Sequence, residues 1–400
     1  MNALDVTGTR LHSIDWLRVL AVLLLFPYHV TRVFNDEAFY VKADQVSAAL
    51  SVVLGFISVW HMPLLFLLAG ASTYFALRRR GAKQYLGERF TRLGVPFLIG
   101  VFVLLIPVQT WYGARFNSGS TESFWHYLVS GDFLHWNIHE GGDYFGGFGF
   151  GHLWFIFVLL LVAVIALPLL ANRGRGEALL RGLSRRLARP VMWPLAALLI
   201  YAGEALPDPT GALQPFYFLV FFVLGYAAVS DPAFMKAAER HRLPALAIGV
   251  LLAVFWVLTP GLRDALPDPS LQLTALNLLG AAASWLVIVG LLGYGRRYLD
   301  RTSPALSYLS EASYPVYLLH QTVIVIAAFY VVDLAAAEPL QWLTLMVVSV
   351  AGTFALYEVV RRTRVTRFVF GMKAGRPGAR QLPGTPHPDA AGGAPGVVAS

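Results

Sequence analysis

The chain has 400 residues, of which 57% are hydrophobic and 14% charged, with a formal net charge of +8. A soluble globular chain carries about half apolar and a quarter charged residues, so this much apolar surface needs lipid rather than one aqueous core. The absence of cysteine excludes disulfides, thiolate metal ligands and a cysteine acyl-enzyme.

A bilayer-crossing helix takes roughly 20 mostly apolar residues. Ten stretches qualify, near residues 14–34, 50–77, 94–112, 152–170, 191–206, 214–229, 244–260, 272–293, 313–333 and 340–360. The expected fold is therefore all-α, a polytopic transmembrane bundle of about ten helices. The first stretch is long and no small-residue cleavage site follows it, so it reads as a retained helix and not a signal peptide. The fifth and sixth are short, and Pro207, Pro209 and Pro215 bound the turn between them.

Lys and Arg collect in cytoplasmic loops, which sets the expected orientation. With the N-terminus inside, 27 of the 31 Lys and Arg residues fall on one side, and only Arg32, Lys42, Arg115 and Arg263 on the other. This alternation holds loop by loop, places both termini in the cytoplasm, and argues for a membrane topology rather than nucleic-acid binding. The expected organisation is a cytoplasmic N-terminus (1–13), a membrane domain (14–360) with a long outer loop (113–151), and a cytoplasmic tail (361–400), basic at first and then disordered. The outer loop and its edge carry Trp111, Trp125, His126, His135, Trp136, His139, Glu140 and Asp143 among many glycines. Such a mixture suits either a carbohydrate or an interfacial aromatic belt.

Ionisable side chains within spanning helices are costly, so each is a site candidate. In the first helix Asp15, Arg18, His29 and Arg32 return to one polar stripe, with His29 roughly 16 Å further along the axis than Arg18. That length is comparable to an extended pantetheine arm. Asp15 lies too far along the axis to touch His29 and pairs with Arg18 instead. Arg89 and Arg92, three residues apart before the third helix, form a guanidinium pair suited to phosphate. His61 in Trp60-His61-Met62-Pro63 is expected near mid-membrane, where Pro63 frees a carbonyl and kinks the second helix. His152 in Gly151-His152-Leu153-Trp154-Phe155 opens the fourth helix at the outer surface, and His320 lies nearer the inside in the ninth. Each of these residues also has a plain structural reading, as a packing histidine or a membrane anchor. The spacings contain no metal motif, no Gly-rich phosphate loop and no serine nucleophile elbow.

The pairing of Arg18-x10-His29 with Arg89-x-x-Arg92 resembles the signature of the acyltransferase family 3 membrane proteins. The stretches 11–18, Met62-Pro63-Leu64-Leu65-Phe66, His152-Leu153-Trp154-Phe155 and Tyr314-Pro315-Val316-Tyr317-Leu318-Leu319-His320 also look like that family. The likeness runs from about residue 10 to 360. The ERFTRLGVP and HLWFIFVLL runs look most like its osmoregulated periplasmic glucan succinyltransferase branch, which has no appended soluble domain.

The resemblance implies a multi-pass enzyme of the inner membrane that moves an acyl group, succinyl or acetyl, from a cytoplasmic acyl coenzyme A to a hydroxyl of a periplasmic or cell-surface carbohydrate. Arg18, Arg89 and Arg92 would bind the donor, His29 would act as general base, and His61 or His152 would orient the acceptor or stabilise the oxyanion. Asp15, Trp154 and His320 would support them. No tightly bound cofactor or metal is expected; the partners are the donor, the carbohydrate acceptor and membrane lipid, with no nucleic acid. Intramembrane charges also fit a transporter of a small polar solute or acyl group, and a polar stripe can simply hold helices together.

Overall fold

The computed structural model describes residues 11–130 and 149–373. Among the described residues ten apolar helices stand where the hydropathy places them: α1 His12–Thr31, α2 Ala48–Arg79, α3 Ala82–Ser118, α4 Gly151–Leu170, α5 Pro190–Glu204, α6 Pro215–Ser230, α7 Arg242–Leu258, α8 Leu271–Tyr298, α9 Pro304–Val331 and α10 Glu338–Val360. Seven of them (α1 to α4 and α8 to α10) are long and apolar enough to cross a membrane by themselves. The helix α6 continues into Pro232–Arg240 after a 98° bend. At the bend Asp231 accepts from the Ala233 N–H at 3.0 Å, and Pro232 takes the first helical position, where its missing N–H costs nothing.

Proline accounts for the other irregularities. In α1 the ladder breaks at Leu24, three residues before Pro27, which has no N–H to give the Leu23 carbonyl. Leu24 keeps right-handed φ and ψ of −64° and −19°, so the helix keeps its rise while changing its hydrogen bonding. In α3, π-helical turns at Phe90–Gly94 and Gly100–Leu104 precede Pro96 and Pro107. The Val95 N–H reaches the Phe90 carbonyl and the Leu105 N–H the Gly100 carbonyl, one residue further back than in an α-helix. The third spanning helix is thus longer at both ends than the stretch 94–112. Pro63 leaves α2 as one continuous helix of 32 residues rather than two.

Between helices in lipid, close packing rather than water exclusion supplies the attraction. The helices α2 and α6 cross where both backbones carry glycine. A Cβ on Gly70 would stand 1.8 Å from the Phe222 carbonyl oxygen, and one on Gly225 would stand 1.9 Å from that of Leu67. Around this crossing one apolar core gathers α2, α5, α6, α8 and the later part of α4; a second gathers the end of α1 with α3, α9, α10 and the start of α4.

The segments rich in Lys and Arg meet laterally. Arg78 pairs with Glu177 at 3.2 Å, Arg185 with Asp231 at 2.7 Å, Arg296 with Glu239 at 3.0 Å, and Asp300 accepts from the Ser13 N–H at 3.2 Å. These contacts tie the loops into one basic end of the bundle.

Two boundaries differ from expectation. The outer loop is partly helical, because α3 runs to Ser118 and Phe124–Val129 forms a further short helix; residues 131–148, with His135, Trp136, His139, Glu140 and Asp143, lie outside the described residues. The tail is folded at its start: Arg364–Val369 is helical, and Arg367, Phe370 and Met372 are buried against the bundle.

Candidate active site

A cavity of about 490 Å³ opens among α1, α2, α3, α4 and α9 at the basic end, on the seam between the two apolar cores. Arg18, Arg89 and Arg92 all line it, together with Asp15. The stripe on α1 and the arginine pair on α3 therefore converge on one space.

Three carboxylates on the wall are each answered by an arginine: Asp15 by Arg18 at 3.2 Å, Glu88 by Arg80 at 2.6 Å, and Glu311 by Arg367 at 3.0 Å. Arg18 also donates to the Ser72 hydroxyl at 2.6 Å. Arg89 and Arg92 have no carboxylate partner among the described residues. Arg89, only 9% exposed, donates one Nη to the Thr73 hydroxyl at 2.9 Å and lies over the Tyr85 and Phe222 rings, while its other Nη is buried without an acceptor. Arg92 spends its Nε on the Gly371 carbonyl at 3.3 Å. A buried guanidinium with an unused donor is costly to maintain and is satisfied by an anion.

The inner wall of the cavity includes Val22, Phe155 and Tyr317. Behind it stand four imidazoles from four helices. The His29 and His320 ring centroids are 5.1 Å apart, those of His320 and His152 are 5.3 Å apart, and Tyr28 lies between His29 and His61 at 5.1 and 6.3 Å. Tyr317 joins the two compartments: its hydroxyl donates to the His152 carbonyl at 2.5 Å, and its ring lies 6.0 Å from that of His320.

The sequence places His152 at the outer surface and His320 nearer the inside, but the structure brings their rings to 5.3 Å. They share one buried cluster, because the start of α4 descends beside the middle of α9.

Hydrogen bonds to carbonyls assign the ring protons, since only an N–H can serve an oxygen acceptor. His61 donates Nε2–H to the Ala21 carbonyl at 2.7 Å, just before the break in α1. His152 donates Nε2–H to the Leu318 carbonyl at 3.0 Å, and its Nδ1 faces the Gln109 amide nitrogen at 3.4 Å, so both its nitrogens are engaged. His320 donates Nδ1–H to the Tyr317 carbonyl at 2.7 Å, which leaves Nε2 with a lone pair, buried and unpartnered. His29 keeps part of its surface, while its Nδ1 is buried with no partner. Two imidazoles in contact thus each present an uncommitted nitrogen.

Trp154 packs on Phe218 and Phe66 at 5.4 and 6.4 Å. Sequence reasoning missed Thr73, Tyr85, Gln109 and Tyr317 as part of the site. Gln109 carried a signal, being an amide within an apolar helix; it donates to the Thr322 hydroxyl at 2.7 Å and accepts from Gln321 at 3.1 Å. Among the described residues no set of three His, Asp or Glu side chains is arranged to hold a metal ion.

The sequence model of a family described as an acyltransferase domain matches residues 11–358. The chain belongs to this family. The glucans biosynthesis protein C of Shigella dysenteriae serotype 1 (strain Sd197) is 22% identical over 387 residues, which cover 92% of this chain and 96% of that protein. Proteins of the same name from Escherichia coli O81 (strain ED1a) and Escherichia coli (strain K12 / DH10B) match with the same identity and coverage. No solved structure matches. Family and apolar helices together make this a multi-pass membrane acyltransferase. The match spans the cavity arginines of α1 and α3 and all four clustered histidines.

Proposed function

We propose that the protein transfers an acyl group, succinyl or acetyl, from acyl coenzyme A at the cytoplasmic face of the inner membrane to a hydroxyl of a periplasmic or cell-surface glycan. One observation carries the reading: a cavity whose Arg89 and Arg92 lack carboxylate partners ends against a wall, Val22 and Tyr317, behind which His29 and His320 stand. Phosphates are the natural ligands of such guanidinium groups. The roughly 16 Å rise along α1 from Arg18 to His29 suits an arm that carries a thioester past Tyr317. The relatives' name supports a glucan as the acceptor.

In this reading Arg18, Arg89 and Arg92 hold the donor phosphates, with Asp15 fixing Arg18. His29 takes the proton of the acceptor hydroxyl as its oxygen attacks the thioester carbonyl carbon. The tetrahedral intermediate collapses with cleavage of the carbon–sulfur bond, and the proton on His29 passes to the departing sulfur, giving the ester, free coenzyme A and an unchanged histidine. His320 presents its Nε2 lone pair to the same pocket and supports His29. His61 and His152, whose Nε2–H groups are committed to carbonyls, position the helices around it. The preponderance of Lys and Arg at the cavity end supports a cytoplasmic location for that end.

The purified protein, given succinyl or acetyl coenzyme A and a glucan, is expected to release the free thiol in step with ester formation. Solute uptake by vesicles without thiol release would contradict the reading and favour a transporter.

A further inference from the structure

The short segment after the last spanning helix forms one wall of the anion cavity. Gly371, Met372 and Lys373 line it, although by sequence they belong to a tail. Their placement is built rather than incidental. Gly371 adopts a φ of +63°, and a Cβ there would lie 2.2 Å from the Arg92 carbonyl oxygen and 2.6 Å from the Tyr314 ring, so only glycine lets the chain pass. Its carbonyl accepts from Arg92 Nε. Arg367, 7% exposed, clamps the turn by donating to the Lys373 carbonyl at 2.9 and 3.2 Å while it pairs with Glu311. The Met372 N–H closes the loop on the Arg367 carbonyl at 2.8 Å.

The charge pattern says what this wall is for. Each wall carboxylate already has its arginine, so the cations left over are Arg89, Arg92 and Lys373. Lys373 is exposed, lines the cavity and has no ion-pair partner among the described residues.

We propose that residues 364–373 are part of the donor site, with Lys373 as a phosphate-binding cation beside Arg18, Arg89 and Arg92, and Gly371 as the residue that positions both Lys373 and Arg92. The proposal rests on the acyl coenzyme A reading and adds a binding element to it.

The test is binding of coenzyme A itself to the purified full chain, and KM and kcat for acyl coenzyme A, in wild type, Lys373→Ala, Lys373→Glu and Lys373→Arg. Lys373 is exposed, so these substitutions leave the fold in place. Lys373→Ala is expected to weaken binding about fivefold at low salt, and Lys373→Glu further, through KM with kcat unchanged. The difference shrinks at high salt, and Lys373→Arg restores affinity. A merely structural segment would respond neither to salt nor to the arginine. If wild type binds and Lys373→Glu binds equally well, this proposal falls while the donor reading stands. If wild type fails to bind coenzyme A, both fall.

Discussion

The imidazoles of His29 and His320 approach to 5.1 Å between centroids, one from α1 and one from α9, and each carries a buried nitrogen with no partner. Elsewhere in the cluster the Nε2 atoms of His61 and His152 are tied to carbonyls. A base must be uncommitted before substrate arrives, and the pair His29 and His320 meets that requirement.

His29→Ala is expected to lower kcat by about 10²–10⁴ with little change in donor affinity. His320→Ala should cost about tenfold to a hundredfold, the order produced by misplacing a catalytic group. Because the two act as a unit, the double variant should lose little more than His29→Ala alone. Independent, multiplying losses in single-turnover rates would separate them.

Arg89 carries a cost in the unliganded protein, since one Nη is buried without an acceptor. Arg89→Met should therefore melt no lower than wild type in detergent, while KM for acyl coenzyme A rises about tenfold or more through loss of a charge-assisted contact. Arg89→Lys recovers only part of that affinity, because a point charge cannot reproduce the planar fork. A large drop in melting temperature with unchanged KM would make Arg89 a structural residue.

The glycine crossing of α2 and α6 predicts a sharp contrast between two conservative changes. Gly70→Ala forces a methyl group into the Phe222 carbonyl and should destabilise by at least about 2 kcal/mol. Gly87→Ala meets nothing within 4 Å on a helical surface and should be neutral or stabilising by about 0.5–1 kcal/mol. Thermal unfolding in one detergent compares them directly.

Lys42, in the loop between α1 and α2, donates to the carbonyls of Arg32, Asn35 and Glu37. Burial, helped by the nearby Arg32 charge, lowers its pKa to about 8. A lowered lysine pKa means the neutral, nucleophilic amine predominates at lower pH than in a free lysine. Labelling by an amine-reactive, membrane-impermeant reagent should rise with a midpoint near 8 rather than ~10.4, and only from the face opposite the basic loops. Labelling from the cytoplasmic face would reverse the proposed orientation.

The fold and the two ends of the site were legible for simple reasons. Apolar length reveals helices, and charges inside them reveal Arg18 and His29. The limits came from contacts that join distant segments. That His152 meets His320 depends on how α4 descends beside α9, which no local pattern encodes. Helix α3 read as too short because its ends are polar, with Lys83, Glu88, Arg89 and Arg92 before residue 94 and Arg115 and Asn117 after residue 112, so apolar length misses them. Tyr317 sat within a motif that was recognised for its histidine, and its place between cavity and cluster appears only in three dimensions. Lys373 was hidden by composition, since it stands at the edge of a Gly- and Pro-rich tail.

The central claim is that this chain acylates an envelope glycan by using His29 as base. The most direct measurement is the mass spectrum of envelope glycans from cells producing wild-type protein, His29→Ala at matched membrane levels, or neither. The account predicts glycans heavier by one or more acyl groups with wild type alone. Undiminished acylation with His29→Ala, or identical glycans with and without the protein, would contradict it.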